Sequence, residues 1–595
     1  MAESIIQIKS LPGIKRDGTR FEGDQYVDGQ WVRFQRGLPR KIGGYHSVNK
    51  YLKGLPRALH DYTRDELTYV HAGSADRLER FYIDNTHNTS IISDRTPSTL
   101  AADDRNIWQF DADTAAGLGG LQLIAQVAPN LDDITNSAGG QLFYGDLFGT
   151  GTLTELTITP GELPTGASVT GGVVALHPYT FIFGNDGYIA WSVAGDCTDF
   201  DSAGSGSLNA TSQKIVRGLP LRGGPGNSPS GLFWSADSLI RASFVGGSEI
   251  FQFDTITGQS SILSPQSAIE YDGIYYWLGV DRMLMFNGVV REVENNTNIN
   301  FFYDNINKAH AQKTFATKVP RFGEIWWCFP FGDSTEPNHA IIYNVRENCW
   351  YDCALPNGGR GAGLFPAVFR FPLMSGVEPQ RYMLNDFALD DAGTGYVVGD
   401  VLTVEGGEYS VQAQITVNTI GGSGEILTGT IGNAGSYSGI PADPVALSGG
   451  TGADATITAD FGRPYKFWIH EEGTNEIDGL VINPIRSYFE TADLSLPVLS
   501  QVNQSLVVGI FEPDFVQSGD LIVSVIGRAN ARANEVETEQ LTIVETPSTP
   551  AEQVVYFKTQ RRELRFRVES NTVNGDYQMG LCLAHIQPGD GTVLG

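Results

Sequence analysis

Between Ile269 and Cys353 the chain alternates short apolar runs with polar breaks. The runs are Ile274-Tyr275-Tyr276-Trp277-Leu278, Met283-Leu284-Met285-Phe286, Ile325-Trp326-Trp327-Cys328-Phe329 and Ala340-Ile341-Ile342-Tyr343, with Gly, Asp, Asn and Pro between them. Runs of four to six aromatic and β-branched residues bounded by turn formers predict strands in tight succession. Asn287-Gly288 predicts a hairpin, because both residues tolerate positive φ, and Asn344 to Asn348 predicts another turn before Trp350. Strand, turn and strand repeated in this way are the pattern of β-propeller blades.

The same rhythm occurs elsewhere. It starts near Leu55 (Leu67 to His71, Leu78 to Ile83) and returns at Thr180 to Ser192, Leu232 to Arg241 and Glu249 to Phe253. Residues 98–170 hold shorter runs (Ile107 to Phe110, Leu121 to Ile124, Leu142 to Tyr144) that predict a further blade with long loops. Units recur every 45–60 residues or so, which suits four strands and their loops. The expected fold is all-β: a β-propeller of about six blades over 51–385, with a short helix over Tyr303 to Phe315.

Two regions break the pattern. Residues 386–461 are dense in glycine, lack Trp and Cys, and repeat themselves at an offset of about 40. Ala392-Gly-Thr-Gly-Tyr396, Val404-Glu-Gly-Gly407 and Ala413 to Val417 are echoed by Ala434-Gly-Ser-Tyr437, Leu447-Ser-Gly-Gly450 and Ala455 to Thr458. This predicts an inserted Gly-rich β module, presented for variable contacts. Residues 462–595 predict a final blade and a C-terminal β region. Glu563 to Glu569 alternates Leu564, Phe566 and Val568 with Arg565 and Arg567, a strand with one buried face.

Charge changes the picture at the N-terminus. The chain as a whole carries −28, which opposes any general grip on nucleic acid. Yet between Lys15 and Lys41 seven basic residues (Lys15, Arg16, Arg20, Arg33, Arg36, Arg40, Lys41) face four acidic ones (Asp17, Glu22, Asp24, Asp28). Residues 1–50 therefore read either as a solvated loop with a strand or as a docking arm for an oppositely charged partner. Lys558, Arg561, Arg562, Arg565 and Arg567 form a second basic cluster.

These two basic stretches carry a family resemblance. Val32-Arg33, Gly37-Leu38 and Arg40-Lys41-Ile42-Gly43-Gly44-Tyr45 resemble the N-terminal signature of the tail hub or nozzle proteins of short-tailed bacteriophages, known as tail tubular protein B or DNA-stabilisation proteins. Trp191-Ser192, Gly195-Asp196, Thr198 and Phe200 resemble a segment of such propellers, and Lys558 to Asn571 with Gly575 to Gly580 resembles their closing segment. The likeness spans the chain except 386–461. It implies a structural virion protein that helps retain the packaged genome: a homo-hexameric ring around the DNA-ejection channel, beneath an adaptor protein and joined to tail fibres or spikes. It also implies transit of genomic DNA without sequence-specific binding and assembly in the bacterial host cytoplasm; host-surface contact is expected through 386–461, outside the likeness, because that module is inserted and surface-presented. Arg33, Arg36, Arg40, Lys41, Lys558, Arg561, Arg562, Arg565 and Arg567 are then the expected docking residues.

No catalytic pattern competes. The nine histidines show no HExxH or HxH spacing, and neither a GxSxG elbow nor a phosphate-binding loop ending in Gly-Lys occurs. The five cysteines are sparse and read as buried reduced thiols. No apolar window reaches transmembrane length, and the N-terminus has no signal-like apolar core. No enzyme activity, cofactor or metal is expected. The alternative is a propeller that binds or degrades host polysaccharide, with Tyr275, Tyr276 and Trp277 as a stacking platform for sugar rings. In the other reading those aromatics are blade core.

Overall fold

The computed structural model describes residues 4–19, 24–83, 93–129, 139–158, 168–221, 228–247, 249–366, 368–379, 381–495, 499, 504–530 and 532–589. Arg20 and Glu22 of the N-terminal basic stretch lie outside these residues.

Six consecutive four-stranded antiparallel sheets occupy 58–94, 106–155, 172–209, 215–257, 269–292 and 315–354. In each, spatial order follows chain order, so every sheet is a meander. The hairpin at Asn287-Gly288 joins Met283–Phe286 to Val290–Glu292, with Gly288 at φ +105°. The first strands lie side by side: Ala58–Arg64, Asn106–Thr114, Gly172–Leu176 and Ile215–Pro220. The row passes through the 3₁₀ turn Pro265–Ser267 to Phe315–Val319, then to Arg360–Leu364, which returns to Ala58–Arg64. This closed ring of first strands makes the fold a β-propeller.

Arg360–Leu364 belongs to a seventh sheet, which completes the ring beyond the six chain-consecutive blades. Its order runs Arg360–Leu364, Leu373–Gly376, Tyr465–His470, Tyr45–Leu52, then the hairpin Asn475–Asp478 with Val481–Pro484. An N-terminal strand thus closes a blade begun late in the chain, and a closed ring leaves few sheet edges open. Sequence order hides this seventh blade, because its strands come from separate stretches. The helix expected over Tyr303 to Phe315 lies earlier, at Ile299–Asn305, and much of the expected span is the 3₁₀ segment Lys308–Lys313.

Blades pack face to face, so their inner strands are buried on both sides. Glu324–Phe329 is buried at all six positions, which is why it reads as a continuous apolar run and not as an alternation. Apolar clusters sit between successive sheets: Phe183 against Phe233, Trp234 against Trp277 (centroids 5.6 Å apart), and Tyr276 and Leu278 with Trp327 and Tyr343. Trp108, Trp277 and Trp327 each donate the indole N–H to a backbone carbonyl, those of Ser74, Ser261 and Ser267. Most buried indole N–H groups find such a partner; those of Trp191 and Trp234 have none among the described residues.

The described residues of 4–45 and 485–588 form a separate layer of β-sheets. One holds Asp28–Gln30, Ser487–Glu490, Glu563–Ser570 and Leu521–Arg528 in that order. Another holds Phe515–Ser518, Asp576–Met579, Leu38–Lys41 and Val32–Gln35. Their core, including Tyr26, Trp31, Phe34, Phe489, Phe566 and Tyr577, is continuous with Trp326 and Tyr351 of the sixth blade. The described residues of the first 50 are therefore not a free arm. Their strands pair with the C-terminal region, and Tyr45–Leu52 with the seventh blade.

The second compact unit comprises 375–467 with 49–55, wider than the expected insert at 386–461. Its main sheet runs Met383–Thr394, Ala453–Gly462, Val445–Ser448, Val401–Val404, Gln414–Ile420, Ile426–Asn433. The order is palindromic: each strand of the first repeat mirrors its echo in the second. Tyr396 and Tyr437, at equivalent repeat positions, are both buried. Each hydroxyl accepts a backbone N–H from the opposite repeat, Tyr437 from Ala413 at 2.8 Å and Tyr396 from Ala455 at 3.4 Å. The sequence repeat is thus an internal pseudo-two-fold.

Candidate docking residues and the propeller channel

Arg33 sits on Val32–Gln35, inside the terminal layer and 1% exposed. It donates to Glu471 at 2.8 Å and to Glu324 at 3.0 Å, and its guanidinium lies 3.7 Å above the Phe322 ring. Burial opposes the charge of Arg33, yet the two carboxylates outweigh it and hold the pKa above its ordinary value. Burial pushes the Glu324 carboxyl up, against the pull of Arg33. Glu324 also accepts from Tyr351 at 2.6 Å and from Trp326 at 2.8 Å. Lys41 is 2% exposed and donates to the Gly575 carbonyl at 2.7 Å. Burial, partly offset by Asp576, brings its ammonium down to about 8.

Arg565 is equally internal. It donates to Glu490 at 2.7 Å and makes two bonds to Glu535, at 2.9 and 2.8 Å. Arg567 is half-buried between Glu490 and Glu569, 4.1 Å above the Tyr488 ring. Arg16 joins the N-terminal stretch to the sixth blade: it donates to Asp28 and, at 3.0 Å, to Asp352. Asp17 accepts two backbone N–H groups, of Asn300 and Phe301, at the start of the helix Ile299–Asn305.

The expected docking set therefore divides. Arg33, Lys41 and Arg565 are committed inside the chain, and their charge is neutralised or desolvated there. Arg567 is largely so. Arg36 is exposed, its backbone held by the Glu347 carboxylate. Arg40 is half-buried, bonded to Gln35 at 2.8 Å. Lys558 is exposed on Val555–Arg561, the last strand of its sheet, beside exposed Tyr556, and Arg561 and Arg562 are half-buried where that strand ends. The acidic partners Glu324, Glu471, Glu490 and Glu535 had no signal in the sequence: Arg33 and Glu471 stand 438 positions apart.

Tyr275, Tyr276 and Trp277 are 1%, 3% and 0% exposed. They are blade core, so the stacking platform of the polysaccharide reading is not there. All five cysteines are buried and unpaired. Burial lowers His60 to about 4 and holds His71 and His470 well below the usual histidine range, so these three are neutral near pH 7.

The first strands of the blades line a cavity of about 310 Å³. Gln109 braces its wall, donating its amide N–H to the Gly171 and Val216 carbonyls and so linking three blades. A Cβ at Gly171 would lie 1.8 Å from the Ile215 carbonyl, which accounts for glycine where these strands meet.

No family model and no curated protein matches the chain. Among solved structures, a WD40 domain from Toxoplasma gondii coronin is similar at 12% identity over 70% of this chain and 88% of that one, with a TM-score of 0.30. The propeller assignment rests on the strand order described above.

Proposed function

We propose that this chain is a structural subunit of a short-tailed bacteriophage tail, the hub or nozzle around the DNA-ejection channel. One observation carries the reading. The two segments that resemble the nozzle family, 26–45 and 558–580, fold as neighbours in one sheet layer, with Arg40 opposite Gln578 and Lys41 bonded to Gly575, 534 positions away. A resemblance by chance has no reason to converge in space.

In this reading copies stand in a ring, six by family resemblance, between an adaptor protein and the fibres or spikes. The net charge of −28 lets duplex DNA pass without adhering. Arg36, Arg40, Lys558, Arg561 and Arg562 meet neighbouring subunits, and the 386–461 module meets the host surface. The protein is not an enzyme and carries no cofactor. It is assembled in the host cytoplasm and resides in the virion tail.

The test is negative-stain imaging of the purified protein, alone and mixed with the adaptor of the same virus. Closed rings are expected. A monomer that depolymerises host polysaccharide would overturn the reading.

A further inference from the structure

The seventh blade ends in an open edge. Its last two strands, Asn475–Asp478 and Val481–Pro484, are joined by Gly479 and Leu480. Leu480 is 101% exposed, Val481 57% and Ile482 52%, and all four residues of Val481–Pro484 are exposed. Among the described residues no strand pairs with its outer side. Three consecutive exposed apolar residues on such an edge mark an interaction surface, because unpaired N–H and C=O groups beside apolar side chains invite another strand.

Other blades protect their outer strands. Ser93–Asp94 and Thr154–Glu155 are two residues long, Val290–Glu292 exposes Arg291 and Glu292, and Cys349–Ala354 lies against Leu11–Ile14. Val481–Pro484 is longer than the first two, carries no charged residue and is uncovered.

The backbone groups of the edge call for an extended strand, and the side chains for an apolar one. The adjoining strand brings two acids, Glu476 and Asp478, so a base near the incoming strand is favoured and an acid is not. Ser4–Gln7 has this chemistry. It is the outermost strand of its sheet and holds no charged residue, Ile5 is 59% exposed, and the exposed Lys9 follows. Phe515–Ser518 is also an uncharged edge strand, but it stands between Asp514 and Asp520, which the hairpin acids repel. Val555–Arg561 places Lys558 within the strand, where a charge opposes strand addition.

We propose that Val481–Pro484 of one copy pairs with Ser4–Gln7 of a second copy. Two different edges in contact make a head-to-tail interface, the kind that closes into a ring. The inference rests on the ring proposed above and names a contact within it.

The test uses the full chain, assembled alone or with the adaptor of the same virus. All five native cysteines are buried, so Val481→Cys and Ile5→Cys each supply the one accessible thiol. Mixed and treated with a short bis-maleimide, the two variants are expected to give a covalent dimer, and neither is expected to do so by itself. Ile482→Lys, at an exposed position that leaves the fold intact, is expected to raise the protein concentration needed for ring assembly by about tenfold. Rings without the mixed crosslink would overturn the strand contact and leave the ring reading standing. Crosslinking of Val481→Cys to itself, or unchanged assembly of Ile482→Lys, would also overturn the contact. A wild type that forms neither rings nor the mixed crosslink would overturn both readings.

Discussion

Lys41 donates its ammonium to the carbonyl of Gly575 at 2.7 Å, in a site where the lysine is 2% exposed. One bond thus ties the N-terminal signature to the closing segment. It has a pH signature. The folded pKa is about 8, against roughly 10.4 in the unfolded chain. Between these values the unfolded state holds a proton that the folded state has lost, so stability rises with pH through this window. The wild type is expected to gain about 2 kcal/mol from pH 8 to pH 10 relative to Lys41→Met. Urea unfolding of both proteins across that range checks it, and parallel pH profiles would refute it.

Arg33 and Arg565 hold buried carboxylates. Arg33→Leu strands Glu324 and Glu471, whereas Arg565→Leu leaves Glu490 with Arg567 at 3.5 Å and Asp493 with Arg528 at 3.6 Å. Arg33→Leu is expected to cost about 3–5 kcal/mol, the usual penalty for leaving a buried charge without its partner, and Arg565→Leu less. Arg36→Ala, at an exposed side chain, is expected to stay within about 0.5 kcal/mol of wild type. Denaturant midpoints of the three variants decide the matter.

In the inserted module, Tyr437→Phe removes the 2.8 Å acceptor of the Ala413 N–H, and Tyr396→Phe removes the 3.4 Å acceptor of the Ala455 N–H. Leaving a buried N–H unsatisfied costs about 1–3 kcal/mol. The longer bond is the weaker, so Tyr437→Phe is expected to destabilise the module more than Tyr396→Phe. Amide hydrogen exchange over 383–462 resolves the two, and equal protection in both variants would contradict the ranking by bond length.

Trp277 is fully buried and bonded to Ser261. Trp277→Ala is expected to cost about 3–5 kcal/mol as a core truncation. Wild-type tryptophan fluorescence is expected to stay unchanged with host polysaccharide, because the indole is sealed between blades.

The blades were legible because their inner strands are buried on both faces, so Ile325 to Phe329 stands out in the sequence without reference to its neighbours. The repeat in the module was legible for a similar reason: Tyr396 and Tyr437 do the same work on opposite sides of a two-fold. The seventh blade was not, because Tyr45–Leu52, Arg360–Leu364 and Tyr465–His470 meet only in space. The internal partners of the basic residues are hidden in the sequence for the same reason. Nothing near Arg33 announces Glu324 or Glu471, and a buried ion pair drawn from distant segments has no local pattern. The N-terminal stretch reads from sequence as a loop or an arm because its strands are short and their partners come more than four hundred residues later, as with Asp28 and Glu490.

Cryo-electron microscopy of the intact particle, at the vertex that carries the tail, decides whether this propeller is ringed around the genome exit as proposed. Copies of the seven-bladed propeller are expected around the axial channel, their Arg36 and Lys558 surfaces at contacts with adjacent subunits. A tail whose channel wall is built from other chains, with this protein absent or bound singly at the periphery, would contradict it.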